Sequence, residues 1–166
     1  MIRCILFDRD GTLGDLKDVR FPDTFFPFCD IKSVFEKIKK KGYFVGILSN
    51  QSSIARGTGK GYDFDREFSS YGCDVYRICP HDIGDHCDCR KPASGMLLSV
   101  CEQLHLSPKE CIVIGDRLSD VACSKNVGGE GMLVLTGKGM AEKDAVLTAY
   151  PNIKILPRFD DVLRFI

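Results

Sequence analysis

Along the chain, short apolar runs alternate with stretches whose apolar residues recur every three or four positions. This is the pattern of a parallel sheet buried between helices. The runs IRCILF (2–7), YFVGILS (43–49), DVYRIC (74–79), ECIVIGD (110–116) and GMLVLTG (131–137) predict five strands, and 152–156 a short sixth. Over 30–41, Ile31, Val34, Phe35 and Ile38 share one helical face, with Asp30 as N-cap and Gly42 as stop. Helical spacing also predicts 93–105, where Met96, Leu97, Val100, Cys101 and Leu104 align, and shorter helices at 63–71, 118–125, 140–148 and 159–165. The segment 11–29 has no period, and its aromatic cluster RFPDTFFPF reads as a plug for the core rather than a pocket wall. Without repeat, low-complexity tract or linker, one α/β domain over residues 1–166 is expected: a three-layer, Rossmann-like parallel sheet with helices on both faces and no large cap domain.

Charge sharpens this picture mainly by exclusion. The chain has 23 Lys and Arg against 23 Asp and Glu, so no net field draws it to nucleic acid or an anionic membrane. MIRCILFDRDGT turns acidic after a few apolar residues, which predicts neither a signal peptide nor a spanning helix and points to the cytoplasm. In that reducing compartment nine cysteines are thiols or metal ligands rather than a disulfide framework. Cys4, Cys29, Cys73, Cys101, Cys111 and Cys123 lie in apolar or helical surroundings and read as small core residues.

The candidate chemistry follows the strands. Ligands of an open α/β sheet collect beyond the carboxyl ends of its strands. There the sequence places DRDGT (8–12), SNQSSIARG (49–57), the end of CPHDIGDHCDCRKP (79–92) and GDRLSD (115–120). Asp8, Asp10, Asp116 and Asp120 offer hard oxygen ligands of the kind Mg²⁺ takes. Arg90 and Lys91 offer positive charge, and Ser49 and Asn50 hydrogen bonds to a tetrahedral anion, a combination that suggests phosphoryl transfer. Any one of these clusters alone is also an ordinary capped turn. GTGKG (57–61) is not a nucleotide loop, because Lys60 is followed by Gly61 rather than Ser or Thr.

DRDGT, SNQ, RKP and GDRLSD, in this order over roughly residues 3–137, resemble the four motifs of the haloacid dehalogenase (HAD) superfamily of phosphohydrolases. SNQSSIARG and the cysteine loop further resemble its small capless branch, which acts on heptose bisphosphate and histidinol phosphate. The resemblance implies that Asp8 is the nucleophile and that Asp10 is the general acid and base, with its carbonyl facing the metal. It implies Mg²⁺ on Asp8, Asp10 and Asp116, and a phosphoryl group held by Ser49 and Lys91. Substrate contacts would come from Asn50, Gln51, Arg56 and Arg90, with Arg56 directed at a second anionic group. Asp120 would reach the metal through water or orient Lys91, with Arg117 beside it in support.

Cys79, His81, Cys87 and Cys89 offer four soft ligands for a closed, structural Zn²⁺ site. His86 is an alternative to His81, which the CxH pattern of the family favours. Ser53, Arg117 and Gly14 depart from the Gly, Lys and Asn common in the family; the last puts a substrate contact in doubt. The expected partner is a small phosphorylated metabolite, a heptose 1,7-bisphosphate before histidinol phosphate and a polynucleotide 3′-phosphate end. A monomer is expected, with no nucleic acid and no membrane. A zinc-dependent interaction module without catalysis is the reading from another class, and the presence of both Asp8 and Asp10 opposes it.

Overall fold

The computed structural model describes residues 1–166. Its elements run β1 (Cys4–Phe7), β2 (Gly14–Leu16), β3 (Phe25–Pro27), α1 (Ile31–Lys40), β4 (Phe44–Asn50), α2 (Ser52–Ala55), α3 (Phe64–Ser70), β5 (Val75–Cys79), α4 (Gly95–Leu104), β6 (Cys111–Gly115), α5 (Leu118–Lys125), β7 (Glu130–Val134), α6 (Gly139–Ala149) and β8 (Lys154–Leu156). Six strands form one parallel sheet in the order β5-β4-β1-β6-β7-β8. Numbered within that sheet the order is 3-2-1-4-5-6, the doubly wound arrangement whose direction reverses beside the first strand. Successive crossovers therefore leave to opposite sides of β1, and a crevice opens between the carboxyl ends of β1 and β6.

Both faces of the sheet are covered, so its strands read as continuous apolar runs. In β1 the two-residue alternation sends Ile5 and Phe7 to the face packed by Val34, Phe35, Ile38, Phe64 and Phe68 of α1 and α3. Cys4 and Leu6 go to the other face, against Met96, Leu97 and Val100 of α4. Val121 of α5 and Val146 of α6 close that second face over Leu133. The predicted cap at Asp30 forms, accepting from the Ser33 N–H at 3.1 Å, and Asp63 likewise caps α3 through the Arg66 N–H at 2.8 Å. Cys4, Cys101, Cys111 and Cys123 are core residues, whereas Cys29 and Cys73 are only partly buried against it. No helix is long and apolar enough to cross a membrane.

Three local expectations change. The stretch 159–165 is a 3₁₀ helix at Phe159–Arg164, which buries Phe159 and Val162, one turn apart. The fifth strand ends at Val134, short of 137, where Gly137 (φ 53°) turns the chain back toward the crevice. Segment 11–29 is ordered as an antiparallel hairpin pairing Gly14 with Pro27 and Leu16 with Phe25. Its aromatics are only partly a plug: Phe25 and Phe28 pack on the core, while Phe21 and Phe26 are exposed.

Candidate active site

Asp8 is the first residue beyond β1, and its N–H donates to the Ile114 carbonyl at 2.8 Å, which carries the ladder with β6 one step further. Asp116 stands in the same place after β6, and Asp120 lies in the first turn of α5. Lys91 enters from the loop between β5 and α4. Its Nζ donates at 2.7 Å to Asp8 Oδ1 and to the Leu48 carbonyl, and pairs at 2.7 Å with Asp120 Oδ1. Three acceptors thus surround the ammonium of a side chain that is only 1% exposed. Asp120 also accepts the Arg117 N–H at 3.0 Å, so one carboxylate caps α5 and orients Lys91.

Asp116 Oδ2 accepts the Lys138 N–H at 2.7 Å, while Oδ1 is buried without a partner. A Cβ at Gly11 (φ 88°) or Gly137 would overlap this carboxylate, so both glycines are needed for the two loops to close on it. Ligand oxygens of Asp8, Asp116 and Asp120 lie within 4.8 Å of one another. An orphaned oxygen in an all-carboxylate group fits a hard divalent cation. Burial, assisted by Asp120, Asp116 and Asp10 and opposed by Lys91, holds the Asp8 carboxyl well above the usual range. Burial and then Asp120 push Asp116 up to about 6, against the Lys138 hydrogen bond. Burial works against the Lys91 charge, but Asp120 and Asp8 outweigh it and raise its pKa. One fixed ammonium faces three carboxylates, and the site has room for more positive charge.

Asp10 is held from two sides, Oδ1 by Arg9 Nη1 at 2.6 Å and Oδ2 by Gln51 Nε2 at 2.7 Å. Gln51 also donates to Ser49 Oγ at 2.8 Å, and both residues are buried beneath the cleft. Asn50 clamps the Lys91 backbone, accepting its N–H at 3.0 Å and donating to its carbonyl at 3.1 Å. Arg90 donates to Ser52 Oγ at 2.7 Å and to the His81 carbonyl at 3.2 Å and lines the cleft. The cleft encloses about 920 Å³, with Leu16 and Val19 of the hairpin segment on one wall, Ile83 and His86 on another, and Arg117 and Lys138 on the β6–β7 side.

Arg56 lies outside the cleft in this arrangement. It makes a two-toothed ion pair with Asp82, at 2.8 and 2.6 Å. A partner 26 residues away captures it, which the local IARG spacing could not reveal. Sequence reasoning also missed Arg9, whose only signal is a base between two acids in DRD, and the Lys138 N–H that orients Asp116.

The sequence agrees with this geometry beyond its motifs. The family model for HAD-hydrolase-like proteins matches residues 88–162. The chain is 32% identical, over 95% of its length and 96% of the relative's, to D-glycero-beta-D-manno-heptose-1,7-bisphosphate 7-phosphatase of Haemophilus influenzae. The chain belongs to the HAD phosphatases. A second relative of this phosphatase is D-glycero-alpha-D-manno-heptose-1,7-bisphosphate 7-phosphatase of Campylobacter jejuni, 34% identical over 95% of both chains. The fold is shared with the D,D-heptose 1,7-bisphosphate phosphatase of B. bronchiseptica, solved with magnesium and phosphate, at a TM-score of 0.83, 24% identity, and coverage of 99% and 97% of the two chains.

The HAD phosphatase carries a second ligand cluster at the cleft rim. Cys79 Sγ lies 3.6 Å from His81 Nδ1 and 3.5 Å from Cys87 Sγ; Cys89 Sγ lies 3.2 Å from His81 Nδ1 and 3.5 Å from Cys87 Sγ. Bond lengths typical of zinc give tetrahedral S···S and S···N edges of about 3.8 and 3.5 Å. The donor set therefore fits Zn²⁺ in both chemistry and spacing. His86 is not part of it: in a left-handed conformation (φ 48°) it closes the turn at Ile83–Asp85 and lines the cleft instead.

Proposed function

We propose that this HAD phosphatase hydrolyses a heptose 1,7-bisphosphate at its 7-phosphate, through an aspartyl-phosphate on Asp8. The observation that carries the chemistry is the grip of Lys91 on Asp8 within the carboxylate cluster. Lys91 holds one carboxylate oxygen of Asp8 and leaves the other as the nucleophile. That oxygen bonds to phosphorus as the bond to the leaving alcohol breaks, and Asp10 gives the alkoxide its proton. Asp10 then takes a proton from water; the hydroxide adds to phosphorus, and inorganic phosphate leaves with Asp8 restored. Lys91 meets the phosphoryl oxygens, Asn50 and Gln51 keep Lys91 and Asp10 in place, and Ser49 supports Gln51 from beneath. Asp8, Asp116 and the Asp10 carbonyl would hold Mg²⁺, which supplies the charge that offsets repulsion between nucleophile and phosphate. Arg90, Arg117 and Lys138 give the cleft cations beyond Lys91, enough for a second phosphate.

The same reading makes residues 1–166 one catalytic domain of a cytoplasmic monomer that needs no nucleic acid. The two relatives are named for opposite anomers, so both belong in the assay. Phosphate release should give a kcat/KM for one heptose 1,7-bisphosphate anomer about 10²-fold or more above histidinol phosphate and a 3′-phosphorylated oligonucleotide. Comparable values for all of them would refute the substrate assignment while leaving the phosphatase chemistry intact.

Zn²⁺ in this proposal is structural. It ties Cys79, at the end of β5, to the loop that leads into Arg90 and Lys91. Elemental analysis of protein purified without chelator should find about one zinc per chain. Cys87→Ser should lower that content and raise KM more than it lowers kcat. Full activity in zinc-free protein with a protease-resistant loop would rule the site out.

A further inference from the structure

Arg9 sits between the two catalytic-motif aspartates and has no exposed surface, although a guanidinium is among the groups that proteins rarely bury unpaired. Nε and Nη2 donate to the two carboxylate oxygens of Glu67 at 2.9 Å each, and Nη2 also donates to the Pro22 carbonyl at 2.8 Å. Glu67, on α3, accepts in turn from the Tyr62 and Tyr71 hydroxyls, both at 2.9 Å. The guanidinium carbon lies 4.1 Å from the centre of the Phe25 ring. This shell engages three of the five guanidinium N–H groups and leaves both on Nη1 free. Here Nη1 is aimed the other way, at Asp10 Oδ1, 2.6 Å off.

The consequence falls on Asp10. With Arg9 on one oxygen and Gln51 on the other, rotation of the carboxyl group about its χ2 bond would break two hydrogen bonds at once. Each oxygen keeps a second lone pair, so the group can carry a proton without losing either donor. Proton transfer depends on a carboxyl held within hydrogen-bond reach of the leaving oxygen, and the orientation here comes from outside the cleft.

We propose that Arg9, anchored by Glu67, is a positioning residue that sets the Asp10 carboxyl for proton delivery to the leaving alcohol. This rests on the reading of Asp10 as the general acid. Its reach is long: α3, through Glu67, and the hairpin segment, through Pro22, both act on the acid by way of one side chain.

The test is a leaving-group comparison in Arg9→Lys and Arg9→Met, using a primary alkyl phosphate, whose alkoxide needs a proton, and p-nitrophenyl phosphate, whose phenolate does not. Because kcat/KM reports only steps up to loss of the alcohol, it isolates acid catalysis from the later attack of water. The alkyl-to-aryl ratio of kcat/KM is also independent of how much of the variant is folded. It should fall about tenfold or more in both variants and in Asp10→Asn, and Arg9→Lys should change it no further in the Asp10→Asn background. An unchanged ratio in the Arg9 variants beside a lowered one in Asp10→Asn would reduce Arg9 to a structural role and overturn the proposal. If Asp10→Asn itself leaves the ratio unchanged, the assignment of Asp10 fails, and the role of Arg9 fails with it.

Discussion

Asp8→Asn should lower turnover on the order of 10⁴-fold or more, yet give a protein that melts no lower than the parent at neutral pH without added Mg²⁺. The amide nitrogen cannot attack phosphorus, and no neighbouring carboxylate can take over. Asp120 is held by Lys91 and the Arg117 N–H, and Asp116 by the Lys138 N–H. Stability moves differently because folding raises the Asp8 pKa, chiefly by burial. A carboxyl raised in this way favours the folded state below its unfolded pKa of about 4 and loses that contribution as pH rises through its folded value. At neutral pH, above the ordinary carboxylate range, a carboxyl raised in this way is therefore a net cost that the isosteric amide removes. The melting difference between variant and parent should narrow as pH falls toward about 4. Lys91 keeps Asp120 as its counter-charge, so the variant leaves no unpaired cation. Turnover within tenfold of the parent, with an assay clean of contaminating phosphatase, would remove Asp8 from the mechanism.

The strand-end aspartates were legible because a steep change marks them. Asp8 and Asp116 each end an unbroken apolar run, and a doubly wound sheet gathers such ends at one crevice. The spacing of Asp120 four residues after Asp116 left two roles open; the ion pair to Lys91 is the one the geometry displays. CxH and CxC gave the thiol and imidazole cluster by spacing, and His86, with its left-handed backbone, lies outside that cluster. What escaped the sequence depends on partners far along the chain. Arg9 meets Glu67 58 residues later, and Arg56 is neutralised by Asp82. The hairpin in 11–29 escaped for a related reason. Its strands are three residues each, too short for a period, and Phe25 is held by packing against the core.

Lys91→Met should destabilise the protein by about 3–5 kcal/mol and remove most of its turnover, the second effect outlasting repair of the first. Methionine fills much the same volume, so packing is nearly conserved. What is lost is the only ammonium among Asp8, Asp116 and Asp120, leaving two buried carboxylates without their counter-charge and the Leu48 carbonyl without a donor. Adding Asp120→Asn removes one of those charges while keeping an acceptor for the Arg117 N–H. The double variant should therefore be more stable than Lys91→Met alone, a coupling that urea denaturation of the four proteins measures as a double-mutant cycle. Turnover should not return with it, because the one cation paired with Asp8 is gone from the place where the phosphoryl oxygens arrive. Recovery of both together would mean that Lys91 serves only to neutralise Asp120. Additive losses would mean that the 2.7 Å pair contributes nothing to the fold. Stability regained without activity is the result that assigns Lys91 both tasks: countering the buried acids at rest and meeting the phosphate when it arrives.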